Sequence, residues 1–143
     1  MEEDILPNQY KNIVTLFSKS KDELQYPRIT IETRTGLDIV FSFWFNGKGN
    51  EVVSVKGRSG DYQVDYGQIH NGNWYKKNNP NKKIIALVDI LNSNPGKLIR
   101  ESSEIEGKCC FCRKELTDEH STNVGFGRTC AENWGLLRIW KKE

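Results

Sequence analysis

All four cysteines of this chain lie between Cys109 and Cys130, and no cysteine precedes them. A framework of disulfides would connect distant parts of the chain and would need an oxidising compartment. Cysteines confined to one short segment are more typical of a metal site. The clustering therefore predicts that the C-terminal part of the chain folds around a metal ion.

The spacing of the cysteines indicates which metal. Cys109 and Cys112 have the C-x2-C spacing of a zinc knuckle, in which two thiolates on a tight turn bind one tetrahedral ion. Thr129 to Glu132 fits a capping box, which predicts Thr129 as N-cap and Cys130 as the first helical residue. Because a helix amino terminus favours a thiolate, Cys130 is the third predicted ligand. A knuckle facing the first turn of a helix is typical of a treble-clef zinc site.

The fourth ligand is left open by the spacing. His120 is the first candidate, and Cys110 is the second, since adjacent cysteines rarely both reach one ion. A water molecule or a carboxylate is the third. The alternatives to a structural zinc site are four buried thiols or a thiol-redox site, and the second lacks the strand-to-helix context of redox motifs. The predicted metal site is Cys109, Cys112, Cys130 and His120, with structural Zn²⁺ as cofactor.

The residues before the cysteines change from helical to strand periodicity and back. Apolar residues over 9–20 recur three and four positions apart, which predicts a helix that Pro27 prevents from continuing. From there to Tyr75 the period is two, and Asn-Gly and glycine-rich turns predict a β-meander. Phe45 is expected on the apolar face of its strand, and Trp44 on the other. Helical spacing returns over 84–91, and a further turn or two is expected over 97–103.

Together these patterns predict an α+β fold. We expect an antiparallel β-meander packed with one or two helices, plus a small C-terminal treble-clef-like zinc module. The expected division is an α+β domain over residues 1–103 and a zinc-binding module over 104–143. Trp134, Leu137 and Trp140 are expected to cover the module and dock it on the sheet, because so short a module has almost no core of its own.

Composition excludes a membrane protein. Hydrophobic residues make up 36% of the 143 residues, and no apolar run approaches the ~20 residues that a membrane span needs. The first residues, Met1-Glu2-Glu3-Asp4, lack the basic start and apolar run of a secretory signal, which predicts a cytoplasmic location. The formal net charge of +2 indicates no particular partner.

The C-terminal motifs resemble those of a known family. They are Cys109-Cys110-Phe111-Cys112, Leu116-Thr117-Asp118-Glu119, Ser121, Val124-Gly125-Phe126-Gly127, Cys130-Ala131 and Trp134-Gly135-Leu136. They resemble a family of uncharacterised proteins, a domain of unknown function with a CxxC…GxGxxC zinc-finger-like module, carried largely by bacteriophages and other mobile elements. The resemblance extends over about residues 7 to 137 and is specific only in the last thirty.

The resemblance implies a zinc-binding module, an appended α/β region, no established activity and, for a phage-encoded protein, the host cytoplasm. Two positions depart from the family pattern. Arg128 stands where the family usually has proline, and His120 stands where it often has arginine. The second departure weakens the expectation that His120 is a ligand.

Clustered cations favour nucleic acid as the partner. Residues 76–100 contain six cations and one acid, and aromatic residues lie just upstream. Cations neutralise phosphates, and exposed rings stack on bases. A lysine run is also typical of a solvated loop, and alternating tyrosines of sheet packing. The predicted nucleic-acid-binding residues are Lys76, Lys77, Lys82, Lys83, Arg113 and Arg128.

The expected function is that of a non-enzymatic zinc-containing binding protein of a phage or mobile element, contacting nucleic acid or nucleoprotein machinery. The alternative is a protein-binding inhibitor or modulator of a host factor, of the anti-defence type, for which Trp44 would contribute a surface patch. An enzyme is not expected, because the chain has two histidines and no nucleophile motif. Neither a membrane nor a small-molecule substrate is expected as a partner.

Overall fold

A five-stranded antiparallel sheet forms the centre of the computed structural model, which describes residues 9–142. Its strands are β1 (Arg28–Ile31), β2 (Asp38–Phe45), β3 (Glu51–Ser59), β4 (Tyr62–His70) and β5 (Asn73–Lys76). The helices are α1 (Lys11–Leu16), α2 (Ser20–Glu23), α3 (Lys82–Ser93), α4 (Pro95–Glu106), α5 (Glu119–Val124), α6 (Arg128–Asn133) and α7 (Leu137–Lys142). Each strand pairs with its neighbours in the chain. The predicted α+β class and antiparallel meander are confirmed, with more helices than expected.

One face of the sheet carries the hydrophobic core. Strand alternation places Phe41 of β2, Val53 of β3 and Ile69 of β4 on this face, and all three are fully buried. Fully burying each such side chain contributes about 1.5–3 kcal/mol. Phe45 does not continue the row, because β2 ends there and the ring is 57% exposed. Residues from α1 and its flanks, α3 and α4 also belong to this core: Tyr10, Ile13, Phe17, Ile84, Val88, Leu91, Leu98 and Ile99.

The helix boundaries differ from the predicted ones. The N-terminal helix is divided, since α1 ends at Leu16 and a turn precedes α2, which begins at Ser20. The helical segment expected over 97–103 is longer than a turn or two: α4 begins with Pro95 at its first position and ends at Glu106, and Gly107, whose φ is +68°, is its C-cap. Proline suits a first helical turn and glycine suits the left-handed residue that ends a helix.

The β4–β5 hairpin depends on a glycine. Gly67 has a φ of +105°, and a Cβ atom there would lie 2.0 Å from the Tyr75 carbonyl oxygen. Only glycine has both the backbone freedom and the absent side chain that this position needs. The buried Trp74 of β5 is fixed next to it, because its indole N–H donates to the Tyr66 carbonyl at 2.9 Å.

Asn92 near the end of α3 ties the N-terminal segment to the helical layer. Its Oδ1 accepts from the Ile13 N–H at 3.1 Å, and its Nδ2 donates to the Gln9 carbonyl at 2.9 Å. Replacing Asn92 with alanine is expected to lower the free energy of unfolding by about 2 kcal/mol, since each bond contributes ~0.5–1.5 kcal/mol. Urea denaturation measures this, and Ser93→Ala, an exposed neighbour, is the control. Equal midpoints for the two variants would contradict the assignment.

The predicted boundary between residues 103 and 104 falls inside α4, and the division into two domains stays a prediction. One buried cluster contains side chains from both sides of it, including Ile29 of β1 and Phe126 after α5. Residues 1–8 lie outside the described residues. They include Met1 to Asp4, on which the predicted cytoplasmic location rests. Within residues 9–142, no helix has the length and apolar character to cross a membrane.

Candidate metal centre

The predicted knuckle is a tight turn closed by two backbone hydrogen bonds. Cys109 N–H donates to the Lys114 carbonyl, and Arg113 N–H donates to the Cys109 carbonyl, both at 2.9 Å. Arg113 is left-handed, with a φ of +65°, and this reverses the chain directly after Cys112. Such a reversal places the side chains of Cys109 and Cys112 on the same side of the turn. The spacing therefore folds as its C-x2-C pattern predicts.

The third sulfur comes from α6, although the helix begins earlier than predicted. Gly127 is the N-cap, Arg128 is the first helical residue, and no side chain caps the helix. The capping-box prediction with Thr129 as N-cap is therefore wrong: Thr129 lies inside the first turn. Cys130 remains within that turn, so the backbone that presents its sulfur is still the amino-terminal end of a helix.

The three sulfur atoms form one cluster. The Sγ atoms of Cys109, Cys112 and Cys130 all lie within 4.8 Å of one another, and those of Cys109 and Cys130 are 3.6 Å apart. A disulfide would need about 2.05 Å. Two thiolates on a tetrahedral ion with bonds of ~2.3 Å are separated by roughly 3.8 Å. The cluster therefore has the dimensions of a metal site, and its three cysteines could bind one ion.

Local hydrogen bonds favour a thiolate at Cys109. The neighbouring Cys130 thiol lowers the pKa of Cys109 to about 5, against the opposing effect of burial, and backbone N–H groups assist it. One of them, that of Phe111, lies 3.4 Å from the Cys109 sulfur. The same contact raises the pKa of Cys130. A metal ion would replace the shared proton, because metal-bound thiols are deprotonated.

The three cysteines line a hollow of about 570 Å³. Asp118, Arg128 and Asn133 are among the residues that line it. Asp118 caps α5, and its Oδ2 accepts from the Ser121 N–H at 2.9 Å. Within residues 9–142, no histidine, carboxylate or further cysteine lies close enough to the three sulfurs to be a fourth ligand. A water molecule or an added ligand would complete four-coordination.

The structure does not bring the two sequence candidates for the fourth ligand to the cluster. His120 lies in the first turn of α5, where its Nε2 contacts the Trp140 carbonyl and its ring meets the Trp140 ring edge-on at 4.2 Å. The Cys110 side chain is fully buried, and burial raises the pKa of its thiol. Its carbonyl instead accepts from the Thr30 N–H of β1 at 2.8 Å.

The hydrogen bond between the Thr30 N–H and the Cys110 carbonyl attaches the knuckle to the edge of the sheet. Aromatic packing adds further contacts between the two. The buried Trp134 ring lies 4.3 Å from the Phe111 ring, stacked, and 4.9 Å from the Phe17 ring. Phe111 also meets Phe126 edge-on at 5.4 Å. The residues around the cysteines therefore share the core of the sheet, as predicted for Trp134.

An ion pair that sequence reasoning missed lies beside the knuckle. Arg113 Nη1 is 3.1 Å from Glu32 Oε1, and the Glu32 side chain is only 1% exposed. Burial raises the pKa of Glu32, as does Glu106, while Arg113 opposes both. No local sequence pattern links residues so distant in the chain. The available signal was that Glu32 directly follows the buried strand β1, because a carboxylate near the core needs a cationic partner. Arg113, predicted to bind nucleic acid, is thus engaged within the fold.

The other predicted nucleic-acid-binding residues lie at two places. Arg128 on α6 contacts Glu132 at 3.5 Å and the face of Trp140 at 5.9 Å. The four lysines surround the β5–α3 loop, where Lys76 lies over the Trp74 ring and Lys77 is 3.8 Å from Asp65. The remaining two, Lys82 and Lys83, are exposed in the first turn of α3.

Comparison with known proteins agrees with the position of the cysteine cluster. Residues 100–135 match the model of a family of unknown function, DUF6011, and this segment contains all three clustered cysteines. The match does not cover the N-terminal helix or the sheet. No curated protein and no solved structure matches the chain. The chain is therefore similar, over about a quarter of its length, to a family whose function is unknown.

Proposed function

We propose that the cluster holds a structural Zn²⁺ ion in a treble-clef-like module. Support comes from the cluster of three sulfurs, two on a knuckle and one on the first turn of α6. Soft thiolate ligands in tetrahedral arrangement favour zinc among common cellular ions. Three thiolates also donate enough charge to reduce the Lewis acidity that hydrolytic chemistry requires, so the role proposed for the ion is stability and not catalysis.

We further propose that the protein binds nucleic acid. The observation that supports this most is the placement of Lys82 and Lys83 in the first turn of α3. The amino terminus of a helix carries partial positive charge, so each lysine there costs ~0.3–1 kcal/mol in stability. Within the described residues neither lysine is in an ion pair. Phosphate groups would neutralise both.

Fluorescence anisotropy with short labelled DNA and RNA tests this proposal. Binding is expected to weaken as salt rises, because each neutralised phosphate releases counterions. The double variant Lys82→Glu/Lys83→Glu should bind more weakly and lower the slope of log K against log salt by about 1 for each phosphate that it no longer neutralises. Lys11→Glu, at an exposed lysine of α1, should bind like the wild type.

Absence of binding at low salt, or binding without a salt slope, would overturn the proposal. A loss of binding free energy in Lys11→Glu about half as large as that in the double variant would also contradict it. The double variant changes twice as many charges, so such a result would indicate a diffuse effect of net charge.

A further inference from the structure

The sheet face that points away from the core carries a hollow that no sequence pattern indicated. Its volume is about 450 Å³. Ser42 of β2 and Ser54 of β3 are directly paired and line it, and Ser54 is buried. Tyr26, Trp44 and Lys56 are among the residues around them. The hollow is thus a surface of small hydroxyl groups bordered by aromatic and cationic side chains.

Strand register extends this surface across the whole sheet. Arg28, Ser42, Ser54, Gln68 and Tyr75 are consecutive partners on the five strands. Directly paired residues share a face, so all five side chains lie on the outer one. Four strand spacings of ~4.8 Å give the row a length of roughly 19 Å. A row of this length suits an extended chain molecule better than a single small ligand.

Exposed aromatic rings lie at both ends of the row. Tyr26, beside Arg28, is 73% exposed, and Tyr75 at the other end is 55% exposed. Trp44, one step along β2 from the Ser42 side chain on the same face, is 40% exposed. The indole of Trp74 is buried, and so is that of Trp134, which makes Trp44 unusual among the tryptophans. Exposed rings are available to stack on planar groups.

The charges of the face favour an anionic partner. Arg28 is exposed and Lys56 is half-buried, and within residues 9–142 neither is in an ion pair. Register places two carboxylates on this face. Asp65 Oδ1 accepts from the Gly67 N–H at 2.9 Å, and Lys77 lies 3.8 Å from its Oδ2. Asp38 is the direct cross-strand partner of Arg58. The available charge on the face is therefore positive.

We propose that this outer face binds single-stranded nucleic acid along the row from Arg28 to Tyr75, an inference that rests on the proposed function and locates its site. Trp44 and Tyr75 stack on bases, which is possible only where the bases are not already stacked in a duplex. Arg28 and Lys56 contact phosphates. Gln68 and the serines offer hydrogen bonds to base edges.

The row ends close to the lysines on which the proposed function rests. Tyr75 directly precedes Lys76 and Lys77, and the β5–α3 loop leads from them to Lys82. Lys76 shares the inner face with Trp74, whereas Lys77 lies 3.8 Å from Asp65 of the outer face. A strand leaving the sheet at Tyr75 would therefore meet Lys77 first and then follow the loop to Lys82.

Anisotropy of labelled oligothymidylate, oligouridylate and a duplex of equal length tests the proposal. The wild type is expected to bind the single strands more tightly than the duplex. Trp44→Ala and Tyr75→Ala should each raise Kd by about tenfold or more, the effect of losing one stacked base. Trp44→Phe should recover most of the affinity. Tyr62→Ala is the matched control, because Tyr62 is 65% exposed and alternation from Asp65 places it on the other face.

A second readout follows Trp44 directly. Bound oligothymidylate is expected to quench the tryptophan emission of the wild type, and the quenching should disappear in Trp44→Phe. Thermal melts of every variant confirm that each is folded.

The outcomes separate the two proposals. Wild-type binding that Trp44→Ala and Tyr75→Ala leave unchanged, but that Lys82→Glu/Lys83→Glu weakens, would overturn the site and retain the function. Tighter binding of the duplex would overturn the single-stranded assignment. Absence of binding by the wild type would overturn both.

Discussion

Replacing Cys130 with serine is expected to abolish metal binding and lower the melting temperature by about 8–16 °C. An ion present at a thousand times its Kd stabilises the folded state by ~4 kcal/mol. For a chain of this size, each kcal/mol corresponds to ~2–4 °C. The effect is large because the segment from Cys109 to Cys130 has short helices and depends on three sulfurs from two separate elements.

Melting curves followed by circular dichroism, with and without a chelator, measure this effect. The wild type should lose stability when the chelator is added, and Cys130→Ser should not respond. Cys110→Ala is the matched control, since its sulfur is buried outside the cluster and the variant should keep the response to chelator. A wild-type melt that the chelator leaves unchanged would contradict a structural ion.

Replacing Trp134 with alanine is expected to lower the free energy of unfolding by about 3–5 kcal/mol, the usual cost of removing a buried large aromatic ring. Trp134 packs between Phe111 of the knuckle and Phe17 of the N-terminal segment. The ring therefore joins the segment that contains the cysteine cluster to the core of the sheet. Its loss should also weaken metal binding, because the knuckle would lose the surface on which it rests.

Trp134→Phe is the informative companion variant. The indole N–H of Trp134 is buried and has no acceptor among the described residues, so phenylalanine removes an unsatisfied donor while keeping most of the ring packing. Its expected cost is below about 1.5 kcal/mol. Urea denaturation of both variants measures the difference. Equal destabilisation of the two, or a wild-type midpoint for Trp134→Ala, would show that ring packing does not join the segments.

Spacing predicted the positions of Cys109 and Cys112 well because the knuckle is a local structure. Cys109 and Cys112 are held by a turn whose hydrogen bonds all lie within a few residues. Spacing along the chain did not predict the position of the His120 side chain. Its distance along the chain suited a ligand, but the direction of a side chain on α5 depends on what packs against it, and that is Trp140 from a separate helix.

The same distinction applies to the sheet. Period-two alternation located the strands, because one face of each carries the core residues, although Val40 and Val52 of the other face are buried as well. The row on the outer face was not predictable, since it depends on register, and the register of β3 and β4 shifts between Ser54 and Lys56. The Glu32–Arg113 ion pair was not predictable for a related reason: its residues meet only when the knuckle packs against β1.

Elemental analysis of the purified protein tests the central claim most directly. The account predicts one zinc ion per chain in the wild type and in Cys110→Ala. It predicts none in the single serine variants of Cys109, Cys112 and Cys130. Wild-type protein without stoichiometric metal, or full metal content in any of those three variants, would contradict it.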